Sequence, residues 1–445
     1  MKRFLLVTGQ TCICCLAVAG QAAPTPVKLS LRQAIELGTS PNGIASLQLA
    51  GASMQAAEAR VAQAHAFLYP VLEASVGEQN LTRNLSAEGF NFPTGVPNFT
   101  IPAEVGPFNN FDLRLLLTQN VYDAGAFRRG RGLRAGLEAA RADITAHREI
   151  SAAQVAHHYL EMLRADTSLD AARAGVAVAE SLLKLAEERE TAGKAAAVEV
   201  TRAKLRLAAD RRKVLGAASE RDQARLQLLG DLGLDFTTSL ELADQLVFTP
   251  SDVPDAASAV ATAFKSRGEL AASQKREEEA QDNEQAIHLE RMPTVFAYGD
   301  VGPLAAVITH TVGVTMKVPI FDGGRRNARR AEALTAVHQQ EIQQRDLRRQ
   351  IELQVRKAAA SLQAAAAEIE VCEGSVTLAQ EELAEARRRF EGGVASNVDV
   401  VDAQAKLTQA RADKIAVLYT WNLARVDLAQ ASGTMGSLEL PGRGN

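Results

Sequence analysis

One sequence pattern occurs twice in the chain, as VYDAGAFRRGR at residues 121–131 and as IFDGGRRNARR at residues 320–330. Both copies run from apolar residues through an aspartate and a glycine into several arginines, and their first residues, 121 and 320, differ by 199 positions. Solenoid repeats have periods of only about 20 to 50 residues. The spacing therefore predicts that half of a domain has been duplicated.

The chain begins with the features of an exported protein. A charged start at residues 1–3 precedes an apolar stretch at residues 4–19 and small residues near Ala22. This order is typical of a secretory signal peptide, so we expect residues 1–22 to be removed. Three of the four cysteines fall inside that segment. The remaining one, Cys372, cannot form a disulfide framework on its own.

Charge and hydropathy restrict the class of protein. The chain has 49 basic and 53 acidic residues and a formal net charge of −4, which gives no reason to expect a nucleic-acid partner. After the signal peptide, no apolar run reaches the roughly 18 residues that a membrane-spanning helix needs. If the protein enters a membrane, we expect it to do so through β-strands.

Residues 351–390 keep one apolar seam with alternating steps of four and three residues, the spacing of a left-handed coiled coil. The seam is rich in alanine, and in it Cys372 is a small apolar residue rather than a reactive thiol. Subtracting 200 from these positions gives a matching seam in the first half. The residues that are identical in the two seams include Val176, Ala179, Leu183 and Ala186 of the first copy.

Each long helix stops at glycine and restarts, as in a helical hairpin. Ahead of each hairpin we expect one helix, at residues 31–66 and 256–290, and then a change of period from 3.6 to 2, which predicts a pair of antiparallel strands. We expect a signal peptide at residues 1–22, a connector at 233–255 and a tail at 434–445. The first repeat is expected at 23–232, with strands at 71–83 and 111–121 and a tip near 193–196. The second repeat is expected at 256–433, with strands at 294–301 and 309–320 and a tip near 392–396.

The strand count has a consequence for assembly. Four amphipathic strands cannot close a transmembrane barrel, because the smallest such barrels have about eight. Open sheet edges cannot face lipid either. We therefore expect several copies of the chain to contribute strands to one barrel.

The duplicated halves, the YDAG and FDGG motifs after the strands, and the tip pattern GGVASNVDVVDAQ resemble the TolC-type outer membrane efflux channels. The resemblance extends from residue 29 to residue 433. It implies a mainly α fold with a membrane β-barrel portion, in which three protomers of four strands each form a twelve-stranded barrel and an α-helical tunnel. It also implies a homotrimer in the outer membrane that extends into the periplasm. With a periplasmic adaptor protein and an inner-membrane pump or ABC exporter, such a homotrimer is the exit duct of a tripartite efflux or type I secretion system.

The second hairpin tip carries the candidate gate. Ser396 and Asp399 have the spacing of a capping box, which by itself explains Asp399. Asp402 shares its helix face and has no such local role. The resemblance places both aspartates at a periplasmic constriction, where they would favour cations and bind blocking multivalent cations. Glu199 matches Asp399 in the first copy and is a weaker candidate. An arginine that helps to lock the tip in some relatives is replaced by Ala395.

Two further groups of residues receive roles from the resemblance. The exposed turns are expected to contact the adaptor: Gly193, Lys194, Gly392, Gly393, Val394 and Ser396. The arginines after the strands are expected either to face lipid headgroups at the inner boundary of the outer membrane or to be ordinary solvated side chains: Arg128, Arg129, Arg325 and Arg326.

No sequence pattern points to catalysis. The seven histidines are scattered, and HHYLE at residues 157–161 lacks the two-ligand spacing of a helical zinc site. We therefore expect a passive conduit with no catalytic residue, metal or cofactor, whose cargo the sequence does not define. Two alternatives stay open: a periplasmic adaptor, which needs one hairpin and a separate β-domain, and an exported coiled-coil scaffold without a pore.

Overall fold

The computed structural model describes residues 27–40, 43–85, 87, 89, 102–193, 196–249, 255–304, 307–392, 394, 396–438 and 440, so the expected signal peptide lies outside it. Its elements, in chain order, are β1 (Val27–Leu29), α1 (Leu31–Gly38), α2 (Ala45–Ala66), β2 (Val71–Asn84), β3 (Glu104–Tyr122), α3 (Ala124–Thr191), α4 (Ala197–Leu232), β4 (Leu240–Leu242), α5 (Ala256–Ser266), α6 (Gly268–Leu289), β5 (Thr294–Leu304), β6 (Val307–Lys317), α7 (Arg325–Glu391), α8 (Asn397–Ser432) and a short 3-10 helix (Met435–Ser437).

The four long strands form one antiparallel sheet in the order β2, β3, β5, β6. Each repeat supplies one neighbouring pair, β2 with β3 and β5 with β6, and the pairing of β3 with β5 joins the repeats. Within the described residues, β2 and β6 pair on one side only. The sheet therefore ends in two open edges, each with a row of unpaired backbone groups.

The two faces of this sheet differ in chemistry, because side chains alternate along a strand. One face carries charge, and on it Arg114 Nε donates to Asp112 Oδ1 at 2.8 Å and Arg114 Nη1 donates to Asp300. The register puts exposed apolar side chains of all four strands on the other face: Leu72, Val76, Phe111, Leu113, Leu115, Leu117, Val301, Val312, Val314 and Met316.

Two helical hairpins follow the strands. The outgoing arms α3 and α7 have 68 and 67 residues, and the returning arms α4 and α8 have 36 each. An arm of 68 residues is about 100 Å long at 1.5 Å per residue. Both returning arms stop at a glycine in the left-handed conformation, Gly233 and Gly433, which ends a helix without steric strain.

The coiled-coil seam predicted for residues 351–390 is the packed side of α7. Its members lie in two hydrophobic clusters, one with Trp421 of α8 and one at the tip with Phe390. Cys372 is partly buried in this seam, and the burial raises the pKa of its thiol. The seam therefore packs the hairpin and leaves this cysteine with little thiolate.

A third cluster fixes the middle of α3. The Tyr159 hydroxyl is fully buried and lies 2.8 Å from Asp244 Oδ2 and 3.0 Å from the Leu29 carbonyl oxygen. Asp244 Oδ2 also accepts a hydrogen bond from Leu31 N at 2.7 Å. These bonds tie α3 to a parallel pair of strands, β1 and β4, that the sequence did not predict because each has only three residues.

The structure corrects the expected strand boundaries. β3 begins at Glu104, seven residues before the expected residue 111, because its first residues continue the ladder with β2 as far as Asn84. β6 ends at Lys317 rather than at residue 320. Pro319 lies just beyond that end and has no N–H group to donate to a further ladder bond.

The two helices expected ahead of the strand pairs are each divided in two. Residues 31–66 form α1 and α2. Residues 256–290 form α5 and α6, which are separated at Arg267, whose backbone is extended. Arg267 Nη1 donates to the carbonyl oxygens of Gln430 and Ala431 at 3.3 and 3.2 Å. The break therefore provides a contact with the end of α8 that a continuous helix would not make.

Candidate functional site

The hairpin tips lie where α3 turns into α4 and where α7 turns into α8. Gly193 follows α3 with φ of 69°, a left-handed conformation that favours glycine. Three of the predicted contact residues are exposed in the second tip: Gly392, Val394 and Ser396. Two of the predicted contact residues lie outside the described residues, as does Ala395: Lys194 and Gly393.

Asp399 lies in the first turn of α8 and helps to cap its N-terminus. Its Oδ2 atom accepts a hydrogen bond from Ser396 N at 2.9 Å, and Ser396 Oγ lies 3.3 Å from the same atom. A carboxylate in the first turn also interacts favourably with the helix dipole. The predicted capping box is therefore present, and the Asp399 side chain is still exposed to solvent.

Asp402 lies about one turn further along α8, and 65% of its side chain is exposed. It does have a local partner, contrary to the sequence-based expectation, because its Oδ2 atom lies 3.4 Å from Lys406 Nζ. Lys406 Nζ also donates to Glu382 Oε1 on α7 at 2.7 Å. Glu382 first and Asp402 second raise the pKa of Lys406. Two carboxylates thus share one ammonium group, and Asp399 adds a third carboxylate to this acidic cluster about one turn earlier on α8.

The buried side of α8 sets the direction of these carboxylates. Val400 and Ala403 are 0% and 1% exposed and pack in one cluster with Phe390 of α7. Asp399 and Asp402 lie on the exposed side of the same turns. The packing therefore fixes both aspartates on the outside of the hairpin.

Glu199 is placed differently from Asp399, its counterpart. It lies in the first turn of α4, where the helix dipole favours a negative charge. Its Oε2 atom is buried and has no hydrogen-bond partner among the described residues. Glu199 is thus half-buried within the first tip and is not part of the exposed acidic cluster.

Arg189 makes a contact between the two tips that sequence reasoning missed. Its Nη2 atom donates to the carbonyl oxygen of Phe390 at 3.0 Å, and its guanidinium carbon lies 4.0 Å from the centre of the Phe390 ring. Leu182 and Leu185 of α3 pack against the same cluster. The spacing of 200 residues between the seams makes Glu190 the counterpart of Phe390 in the first repeat. Nothing in that pattern indicates that the neighbouring residue, Arg189, contacts Phe390.

The arginines after β3 are held by one carboxylate of α6 and by one at the residue that follows it. Arg128 Nε lies 3.3 Å from Asp282 Oδ1, and only 4% of the Asp282 side chain is exposed. Arg129 Nη1 lies 3.0 Å from Glu290 Oε1. These pairs join the first turns of α3 to α6 and give both arginines a structural role.

The arginines after β6 differ from one another. Arg326 Nε donates to Asp322 Oδ2 at 2.6 Å, and this bond lowers the pKa of the Asp322 carboxyl group. Arg325 is exposed, and no ion pair with another described residue holds it. Of the four predicted boundary arginines, Arg325 is thus the one with its charge directed to solvent.

Two further kinds of feature, membrane-spanning helices and metal-binding clusters, were searched for in the part of the chain that the structure describes. None of the described helices is long and apolar enough to cross a membrane. No three His, Cys, Asp or Glu side chains among these residues are grouped so that they could hold a metal ion.

Comparisons with known proteins agree with the fold. Residues 44–234 and 259–434 match the family model described as outer membrane efflux protein. A proteases secretion protein, PrtF, from Dickeya chrysanthemi is 28% identical over 132 residues, which are 30% of this chain and 29% of that protein.

Solved structures match over most of the chain. The outer membrane protein VceC of Vibrio cholerae has a TM-score of 0.74 at 21% identity, over 91% of this chain and 96% of that one. The CmeC outer membrane channel of Campylobacter jejuni has a TM-score of 0.76 at 16% identity, over 92% of this chain and 86% of that one.

Proposed function

The chain belongs to the outer membrane efflux protein family, and from this membership we propose that it is the outer-membrane exit duct of a tripartite efflux or type I secretion system. The observation that carries the proposal is the two-faced sheet. Its aliphatic face suits lipid and its charged face suits water, which is the alternation of a membrane barrel with an aqueous interior. The two hairpins of about 100 Å then extend the duct into the periplasm.

The duct is a homotrimer in this proposal. One chain supplies four strands with two open edges, whereas closure takes at least about eight strands. Three chains supply twelve strands and leave no edge exposed to lipid. The periplasmic part is then a tunnel made by the hairpins of all three copies.

The proposed gate is the acidic cluster at the second tip. Three copies bring three Asp399 and three Asp402 side chains to one narrow end, and a ring of carboxylates favours cations over anions. Lys406 offsets part of this charge in each copy, since it lies 3.4 Å from Asp402. Glu199, the weaker candidate from the first tip, is half-buried and lies outside this ring.

The tips and the arginines receive the remaining proposed roles. The exposed turn residues Gly392, Val394 and Ser396 are available to a periplasmic adaptor protein. Such an adaptor connects the duct to an inner-membrane pump or ABC exporter, which supplies the energy that a passive conduit lacks. Arg325, exposed just after β6, is the arginine best placed to meet lipid headgroups.

The cargo class is the open part of this function. The similarity to a proteases secretion protein favours a secreted polypeptide, although it covers only 30% of the chain. Deleting the gene and assaying both protein secretion and drug susceptibility would separate this cargo from a small efflux substrate. Loss of secretion with unchanged susceptibility is the expected result.

The duct itself is tested by fractionation and conductance. The protein extracted from outer membranes with detergent should be a trimer that conducts ions in planar bilayers. A water-soluble monomer with no affinity for bilayers would reject the duct and favour the adaptor or scaffold.

A matched pair of variants tests which sheet face meets lipid. Val312 lies on the aliphatic face of β6 and is 85% exposed, and Thr311 is its neighbour on the polar face. Val312→Arg should reduce the membrane-inserted fraction strongly, because arginine on the lipid face costs about 2–4 kcal/mol at mid-depth. Thr311→Arg should insert like the native chain. Equal insertion of the two variants would contradict the proposed facing.

A further inference from the structure

A cavity of about 460 Å³ lies between the first hairpin and the returning arm of the second. Its walls come from α3, α4 and α8, and its α8 wall runs from Gln404 to Ile415, directly after the acidic cluster of the tip. Cavities that bind small molecules have volumes of about 300–1,000 Å³. The gate, the adaptor contacts and the sheet leave this cavity without a role.

Two glycines within helices line the cavity from different walls. Gly175 lies inside α3 and Gly216 lies inside α4. A glycine in a helix interior makes the helix less stable than an alanine would. Close packing explains neither glycine, because a Cβ atom at either position would have no contacting atom within 4 Å. The missing side chains leave room in the cavity, and the other small residues of its walls are Ala171, Ala172, Ala217 and Ala412.

A buried amide without a complete set of partners lines the same space. Gln404 is only 4% exposed, and its Oε1 atom has no hydrogen-bond partner among the described residues. The neighbouring hydroxyl group of Thr408 is already used, since it donates to the Gln404 backbone carbonyl oxygen at 2.8 Å. A buried acceptor without a donor costs free energy. A ligand with a hydroxyl group would supply the donor.

The buried carboxylate of the cavity is already neutralised. Asp210 is 4% exposed and accepts a hydrogen bond from Arg206 Nε at 2.9 Å. Lys213 Nζ lies 3.3 Å from the other oxygen of the same carboxylate. Two cations thus surround one anion in the α4 wall, which leaves a positive excess there.

The remaining charged residues of the cavity add to this excess. Arg212 of α4 and Arg411 of α8 both line it, and neither forms an ion pair with another described residue. Glu220 is the one further acid in the walls among the described residues. The cavity therefore combines a positive charge, an acceptor that lacks a donor, and small apolar side chains.

We propose that this cavity binds a small aromatic acid that carries a hydroxyl group. The carboxylate pairs with Arg411, since a guanidinium group binds carboxylates through two parallel hydrogen bonds. The hydroxyl group donates to Gln404 Oε1. These two residues are seven positions apart, so they share one face of α8 and are separated by about 10 Å along it. One ring with a hydrogen bond of about 2.9 Å at each end spans a similar distance.

The bound acid has a consequence for the gate. It contacts α3 and α4 of the first hairpin and α8 of the second, so it links the two hairpins close to the tips. A ligand that binds the closed arrangement more tightly shifts the population toward it. The acid therefore lowers the frequency of opening. This consequence rests on the proposed duct, whereas the site itself does not.

Three fluorinated molecules test the site in the detergent-solubilised full chain by fluorine nuclear magnetic resonance. The first, 3-fluoro-5-hydroxybenzoate, carries both groups. The second, 3-fluorobenzoate, lacks the hydroxyl group, and the third, 3-fluorobenzylammonium, has a cation in place of the carboxylate. We expect the dissociation constants to rise in this order, by at least about threefold at each step.

A matched pair of leucine variants tests the location. Gly216→Leu fills the cavity and should weaken binding of 3-fluoro-5-hydroxybenzoate by at least about tenfold. Gly374→Leu is the control, because Gly374 lies inside α7, does not line the cavity, and also has no contacting atom within 4 Å of a Cβ position. It should bind like the native chain.

Two further variants test the chemistry with little change in volume. Arg411→Gln should weaken binding of both acids by at least about fivefold, because it removes the charge that pairs with the carboxylate. Gln404→Met should abolish the difference between the two acids. No binding of either acid by the native chain, equal binding by the two leucine variants, or tighter binding of the cation would overturn the site.

Single-channel recording tests the effect on opening. Saturating 3-fluoro-5-hydroxybenzoate should lower the opening frequency of the native channel by at least about threefold and leave that of Gly216→Leu unchanged. An unchanged frequency in a native channel that binds the acid would overturn the link between the hairpins. A chain that binds the acid and never conducts ions would overturn the proposed duct and leave the site standing.

Discussion

The first turns of the two long helices differ in how much neighbouring chain covers them. In α3, Gly125, Gly132, Ala135 and Ala139 are all buried, because α2 lies on one side and α6 on the other. In α7, Ala333 is the one buried residue among residues 325–350. Similar helices thus have two covering neighbours in one repeat and one in the other. The second repeat is thus less covered than the first within a single chain, and in the proposed trimer a neighbouring copy would supply the missing cover.

Truncating a leucine should reduce stability much more in the covered core of α3 than at an exposed position of α7. Leu163 is 0% exposed, whereas Leu378 is 67% exposed. Leu163→Ala should lower the free energy of unfolding by about 2–5 kcal/mol, since it leaves a cavity. Leu378→Ala should lower it by clearly less, because it leaves no cavity within its own chain. Urea unfolding of the detergent-solubilised protein measures both, and equal losses would contradict the contrast between the helices.

The contact between the two tips should have the next largest effect. Arg189→Ala removes both the hydrogen bond to the Phe390 carbonyl oxygen and the stacking on its ring. The expected loss of about 1–2 kcal/mol in tip-to-tip coupling corresponds to roughly a tenfold rise in spontaneous channel opening. Single-channel recording measures the opening frequency.

The control for that experiment is Arg388→Ala. Arg388 is 72% exposed and pairs with Glu385 of its own helix, so it does not join the hairpins. Its removal should leave the opening frequency unchanged. If both variants open equally often, the Arg189 contact does not hold the tips together.

The two tips should respond differently to loss of a carboxylate. Asp402→Asn should raise the concentration of a trivalent cation that half-blocks the current by several-fold, because it removes a charge from the exposed cluster. Lys406→Ala should lower that concentration, because it frees Asp402 and Glu382 from their shared ammonium group. Glu199→Gln should have little effect, since Glu199 is half-buried. Unchanged block in the Asp402 variant would remove this residue from the gate.

The smallest effect concerns the seam of α7. Desolvation raises the pKa of Cys372 above its usual value, with smaller contributions from Glu368 and Asp413. The thiolate fraction at pH 8 is therefore below that of an exposed cysteine, and alkylation by iodoacetamide should be several-fold slower. The rate should keep rising as the pH increases past about 10, where an exposed thiol with a pKa of about 8.5 is almost fully ionised and levels off. A plateau below about pH 10 would contradict the burial.

Periodic packing is what the sequence predicted best. The seam at residues 351–390 and the glycines that stop the helices are local signals, and the structure has the seam buried and the helices ending there. The strands of the sheet were also recognisable, because one face had to be apolar. Short or irregular features left no such signal: β1 and β4 have three residues each and depend on contacts distant in sequence.

The candidate site was predictable only in part, for the same reason. The Ser396–Asp399 cap follows from spacing within one helix turn. The contact of Asp402 with Lys406, four residues on, could be foreseen, but the contact of Lys406 with Glu382 on another helix could not. The Arg189–Phe390 contact depends on how two hairpins lie side by side, which no periodicity within either hairpin determines.

The buried hydrogen bonds of Tyr159 also fix one point of α3, and the part of the helix from Tyr159 to the tip extends far beyond that point. From Tyr159 to the end of the helix at Thr191 there are 32 residues, or about 48 Å of rod. A tilt of about 5° at the Tyr159 cluster would move the end of such a rod by about 4 Å, more than the diameter of a water molecule. In the proposed duct, a substitution near Tyr159 would therefore widen or narrow the distant gate.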